Sequence, residues 1–324
     1  MLSRDRIWTI KAIQSSERAG GRFRTGRNTH ACRALQPLNG LSTGSDKEIS
    51  MTTIRRVSYV FLSIVPFLDI TLVGVRALRV PGLYHAIGVS YFALIAIAAW
   101  ALSAGAIKAD VQGRRLLGVA GILLITPFAL VALLWVGLGG PWEANVAENQ
   151  MRYLVLIVMA TAVSGGFAVL KEALSEAGER VYATLGFAAI MLSGPLYLIW
   201  NSFLVGAYFG KQHSGEVPAA IISLNDTTDL LLFMAGFLTY IATALFAASL
   251  GRVQWLGRAT ARAFMILSGI ALLFLAIRGL QYPDPKALST PWYTSPGFIV
   301  GIPAVPFIMP CLLGVVLLRR AGEA

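Results

Sequence analysis

One acid stands inside an apolar run, where a charge is costly. Asp69 lies in Val65-Pro66-Phe67-Leu68-Asp69-Ile70. A charge near a bilayer centre costs about 2.5–3.5 kcal/mol on insertion scales, so such a residue marks a function or a paired contact. Pro66 removes a backbone donor just before it and kinks a helix there. Arg76 follows seven residues later, on the same helix face two turns on. Arg278, near the outer end of the seventh apolar run, is a second cation of suitable placement. Two chemistries stand: an ion pair that fixes packing, or a carboxylate coupled to a proton or a substrate.

The fifth apolar run carries Ser193, Tyr197 and Asn201 at four-residue spacing, with Gly194 and Pro195 among them and Trp200 on the border. That spacing puts the three polar side chains on one helix face, directed into a bundle rather than at lipid. They serve either as interhelical hydrogen bonds or as the wall of a solute path. Asp69, Ser193, Tyr197, Trp200, Asn201 and Arg278 are therefore the candidate substrate-binding residues, and no catalytic residue is assigned. A third possibility lies outside the membrane, where His85 could join Asp226 and Asp229 in an external cluster, although acids three apart at a helix start are first of all caps.

The eighth run holds Gly297, Gly301, Pro303, Pro306 and Pro310 within fourteen residues. It reads as a kinked helix or as an interrupted one, and interruption is tolerated only in protein or beside a cavity. Ala235, Thr239, Thr243 and Ala247 in the sixth run, and Ala160, Ser164 and Ala168 with Gly165 and Gly166 in the fourth, have the small-residue spacing of packing seams.

These residues need helices to position them, and the composition supplies the helices. The 324 residues are 56% hydrophobic and 13% charged, against about 25% charged in ordinary soluble chains. Eight apolar stretches, 57–77, 84–106, 116–137, 152–170, 182–207, 230–250, 262–281 and 297–318, each cover the roughly 30 Å hydrocarbon core at 1.5 Å per residue. None alternates with period two, which excludes a β-barrel. The expected fold class is all-α, a polytopic integral membrane bundle of about eight transmembrane helices. Twelve Lys and Arg of the membrane domain fall on one side and six on the other, which predicts both termini inside. The outer loops carry Trp142, Tyr208, Tyr282, Trp292 and Tyr293 as an interfacial belt, and Val217–Leu224 is apolar but too short to span. Glu172, Glu176 and Arg180 suggest a solvated extension of the fourth helix.

The net charge of +11 is unevenly spread: residues 1–50 hold 9 Lys and Arg against 4 Asp and Glu. This segment lacks an apolar core, so it is no secretory signal. It reads as a disordered basic extension, a targeting segment, or the product of a start upstream of Met51, ahead of a membrane domain over 51–324. Cys32 and Cys311 do not form a disulfide framework. No phosphate-binding loop, zinc helix, C-x-x-C pair or nucleophile elbow occurs, and three histidines cannot ligate membrane hemes in pairs.

No cofactor or metal and no nucleic-acid partner is expected; the partners are the lipid bilayer and a small molecule or ion, in a bacterial inner or plasma membrane, with the oligomeric state open. Small-solute or ion-coupled transport is the favoured function. The alternatives are an outer-leaflet enzyme using Asp69, His85 and Asp229, and a non-catalytic scaffold or sensor.

Overall fold

The computed structural model describes residues 53–72, 83–136, 144–280 and 296–323, apart from the side chains of Tyr84, Val136, Asn225, Asp226 and Pro296. All belong to one compact unit, Ile49–Ala324. The basic extension, Arg76, and the outer loops around Trp142 and 282–295 lie outside the described residues.

Every regular element among the described residues is helical. In order they are α1 (Thr53–Leu72), α2 (Leu83–Ile107), α3 (Gln112–Val131), α4 (Val146–Glu176), α5 (Val181–Ser214), the short α6 (Ala219–Ser223), α7 (Asn225–Arg252), α8 (Arg258–Leu280), α9 (Pro296–Ile299) and α10 (Ile308–Glu323). A π-helical turn, Ala132–Val136, continues α3, and a 3-10 turn, Val305–Phe307, leads into α10. The protein is an all-α membrane bundle, with seven helices long and apolar enough to cross a bilayer.

α1 is the helix outside those seven, because Arg55, Arg56 and Asp69 fall within its 20 residues. Geometry nevertheless makes it the eighth pass. Arg55 on its first turn donates from Nη1 to the Gly322 carbonyl at 2.8 Å, so the start of α1 meets the end of α10. Seven antiparallel passes from α2 to α10 would leave the two at opposite ends. The helix of 20 residues spans about 30 Å, enough to return the chain.

The same end gathers the basic residues. Arg114 donates to the Ala321 carbonyl at 3.2 Å, Arg320 reaches the Gln254 carbonyl, and Arg252 pairs with Glu179 at 2.8 Å. Arg55 and Arg114 thus satisfy the last carbonyls of α10, which no helical donor can reach, and oppose the negative end of its dipole. α4 runs on to Glu176, as expected of a solvated extension, and Glu176 accepts from Gln112 at 2.8 Å. Arg180 sits just outside that helix, so the four-residue series stops at Glu176.

Large apolar side chains cover the outside. Ile97 is 65% exposed and Leu192 63% exposed in mid-helix, surface that water would disfavour and lipid accepts. α3 and α10 are the most buried passes, and α8 is the most peripheral. The small-residue seams form as their spacing implies. Gly166 of α4 lies against Leu124 of α3, and Gly194 of α5 faces Ser164 of α4, with 2.7 Å left between a Cβ there and the Ser164 hydroxyl. α5 extends past its expected end to Ser214 and stops at Gly215, whose φ of 81° closes the last turn. The stretch beyond it forms only the exposed five-residue α6.

Candidate functional site: the interrupted eighth pass

The eighth pass is interrupted rather than kinked. After α9 ends at Ile299, the chain makes turns through residues 300–304, takes the 3-10 turn, and becomes α-helical at Ile308. Pro303 and Pro306 each lack the N–H an α-helix would use, and Gly297 and Gly301 permit close approach. A Cβ at Gly297 would lie 2.7 Å from the Phe274 carbonyl oxygen, so α9 packs directly on the backbone of α8.

Neighbouring helices satisfy the freed groups. The Tyr240 hydroxyl of α7 donates to the Val300 carbonyl at 3.0 Å. Arg278 of α8 lies 4.9 Å from the Phe298 ring centroid, and its guanidinium sits against Gly301. At the inner edge of the break, the Phe307 ring lies 5.1 Å from the Tyr197 ring of α5, and Pro306 approaches Gly236 of α7. Tyr197 and Tyr240 stand near the centres of their helices, whereas Arg278 and Leu275, beside Gly301, belong to the last two turns of α8, so the break runs inward from the outer end of α8.

The polar stripe of α5 meets α7 at this level. Ser193 Oγ donates to the Ala235 carbonyl at 2.7 Å and lies 2.9 Å from Thr239 Oγ1. Thr239 Oγ1 is 2.8 Å from the same carbonyl and 3.5 Å from the Tyr197 hydroxyl. Ser193 and Thr239 are fully buried, so the three hydroxyls form a continuous hydrogen-bonding strip in the interior. Asn201 Nδ2 donates to the Tyr197 carbonyl at 2.8 Å, while its buried Oδ1 has no hydrogen-bond partner. Trp200 turns edge-on to Tyr153, which stacks on Tyr208 with centroids 5.3 Å apart.

The structure therefore brings Ser193 and Tyr197 to the α7 side of α5, turns Trp200 toward Tyr153 of α4, leaves Asn201 bonded within α5, and places Arg278 on the break that Tyr197 borders. It does not bring Asp69 there. Asp69 is fully buried among α1, α2 and α10, beside the Tyr91 hydroxyl and the Cys311 thiol. Neither carboxylate oxygen has a hydrogen-bond partner of sound geometry. An Asp69–Arg278 ion pair is excluded on that ground, since a bonded guanidinium would occupy at least one oxygen. The external cluster of His85, Asp226 and Asp229 includes a side chain, that of Asp226, that lies outside the described residues; among those described, no three His, Cys, Asp or Glu side chains converge to hold a metal.

Sequence reasoning missed a second polar centre. Arg152, one of the six Lys and Arg that the sequence places on the outer side, is fully buried. Asn145 caps α4 through a capping box with Glu148, so the helix starts early and Arg152 lies about 9 Å inside it. Its Nε donates to the Leu134 carbonyl at 3.2 Å, its Nη1 to Asn149 Oδ1 at 3.3 Å, and its guanidinium lies 5.6 Å from the Trp135 ring. Leu134 and Trp135 belong to the π-helical turn, whose widened ladder turns a carbonyl toward a neighbour. The signal was present: Asn145-x-x-Glu148 before an apolar run is a helix start.

These features define a multi-pass helical membrane protein with an interrupted pass at its core. Comparison of the chain with protein families, with curated proteins and with solved structures finds no match.

Proposed function

We propose that this bundle moves a small hydrogen-bonding solute or ion across the membrane, with its binding site at the break in the eighth pass. One observation carries the proposal: Tyr240 of α7 donates to the Val300 carbonyl in the break, and Phe307, just past it, lies on Tyr197, whose hydroxyl continues into the buried Ser193 and Thr239 hydroxyls. Broken passes cost backbone hydrogen bonds in a bilayer and recur where a solute site offers polar compensation. Ser193, Tyr197 and Thr239 supply donors and acceptors for an uncharged or weakly charged solute. Asn201 Oδ1 adds a free acceptor one turn outward, and Trp200 borders the path. Arg278 supplies a cation on the outer side of the break. The basic end, with the start of α1 and the end of α10, faces the cytoplasm by the twelve-to-six asymmetry of Lys and Arg, in a bacterial inner or plasma membrane.

Thiol labelling tests both parts. In a background with Cys32→Ser and Cys311→Ala, single cysteines are introduced and exposed to a small charged, membrane-impermeant reagent. Ala304→Cys, on the break, is expected to react, because water reaches a solute path. Ile97→Cys, 65% exposed on the outer surface of the bundle, is expected to stay unmodified in lipid. Ala147→Cys should label from outside, and Gln112→Cys only after permeabilisation. Equal silence at positions 304 and 97 would remove the solute path, and the reverse sidedness would invert the orientation.

A further inference from the structure

Asp69 is the buried acid that the solute site does not use. Its carboxyl is fully buried and faces the Tyr91 hydroxyl, yet neither group makes a hydrogen bond of sound geometry. That arrangement requires an explanation, because buried polar groups in native proteins are nearly always satisfied. The elements packed on α1 are α2, α10, α3 and the π-helical turn. From α2 comes the Tyr91 phenol and from α10 the Cys311 thiol. Among the described residues, α3 and the π-helical turn bring no charged group onto the carboxyl; Arg152, which reaches that turn, is held by Leu134 and Asn149.

Among the described residues no cation lies on the carboxyl, and a charged carboxylate so buried would lose its hydration, a loss that an apolar interior does not repay. A metal ion does not fit, since hard cations collect about six oxygens and the site offers one carboxyl and one phenol. A proton needs only one oxygen. Beside it a largely apolar groove of about 530 Å³ opens between α1 and α2, lined by Leu72, Leu83, Ile87, Ser90, Tyr91 and Leu94, and Tyr91 links its wall to Asp69.

We propose that Asp69 is a proton-binding site, occupied by a proton when α1, α2 and α10 are packed as seen and emptied when they part. Release breaks the carboxyl O–H bond, passes the proton to water that enters as the helices part, and leaves a carboxylate that needs hydration. That hydration requires α10 to move away from α1, so the proton and the packing of α10 are linked. α10 begins one residue after Phe307, which rests on Tyr197, so movement of α10 also moves the break. The proton site itself does not depend on the solute reading, because its neighbours lie on α2 and α10.

Infrared spectroscopy of the protein in lipid nanodiscs tests it. At neutral pH the wild type should show the carbonyl stretch of a protonated carboxylic acid in an apolar setting. Carboxyl-labelled 13C-aspartate should shift that band in the wild type, independently of any variant. The band should be lost completely in Asp69→Asn, which should otherwise melt close to wild type. Raising the pH should remove the band, whereas adding sodium at constant pH should not. No protonated-acid band at neutral pH, a band unmoved by labelled aspartate, or loss of the band on adding sodium would each overturn the proposal. If Asp69→Asn fails to fold, the labelled wild type decides alone. A positive infrared result with unreactive Ala304→Cys would sink the solute path and keep the proton site.

Discussion

Arg152→Ala is expected to lower stability by about 2–5 kcal/mol, the range for emptying a large buried site. The side chain is fully enclosed, and its loss strands the Leu134 carbonyl and Asn149 Oδ1 that it now serves. A stranded buried acceptor costs about 1–3 kcal/mol on its own. Arg152→Met separates the two contributions: it refills most of the volume but restores no donor, and should recover the packing part only. Arg152→Lys should do little better, since one ammonium cannot reproduce the fixed fork that spans two acceptors and lies near Trp135. Thermal unfolding in detergent measures all three. A melt of Arg152→Ala at the wild-type temperature would mean that the guanidinium is not enclosed as described.

Gly314→Leu is expected to be worse still and to leave little folded protein. α3 and α10 cross where both present glycine. A Cβ on Gly314 would lie 2.8 Å from the Gly121 carbonyl oxygen, and one on Gly121 would lie 2.9 Å from the Gly314 carbonyl oxygen. The obstacle is backbone on both sides, so no rotamer change relieves it. Overpacking by single methylenes costs about 1–3 kcal/mol, and a whole isobutyl group must separate the two most buried passes. Even Gly314→Ala should lower the melting temperature measurably. Gly105 supplies the control, because nothing lies within 4 Å of a Cβ there. Gly105→Ala should be neutral or stabilise by up to about 1 kcal/mol through helix propensity. Equal behaviour of the alanine variants at 314 and 105 would contradict the close crossing.

The passes were legible because a bilayer imposes one length scale, and apolar runs of that length have few other solutions. The polar stripe of α5 was legible for a similar reason: four-residue spacing fixes a shared face whatever the face meets. Spacing along one helix says nothing about which neighbour it meets, however. That is why Asp69 could be assigned an arginine partner in Arg278 when its neighbours are Tyr91 and Cys311. Arg152 was misplaced through its helix boundary, since counting apolar residues begins the fourth pass where the arginine interrupts them, whereas the capping box begins it at Val146. The prolines of the eighth pass announced a disturbance without saying whether the helix would bend or break. Gly297 decided it by packing onto the α8 backbone, a tertiary contact with no local signature. The Gly121–Gly314 crossing was equally silent, because each glycine stands in a different pass.

Hydrogen–deuterium exchange of the full-length protein in lipid nanodiscs tests the central claim most directly, namely that the eighth pass is broken ahead of α10 beside a wetted polar site. Peptides covering residues 300–305 should exchange orders of magnitude faster than those covering 310–318 of α10, which lie in continuous buried helix. Uniform slow exchange across 297–318 would show a continuous, dry helix and would contradict the break and the solute site together.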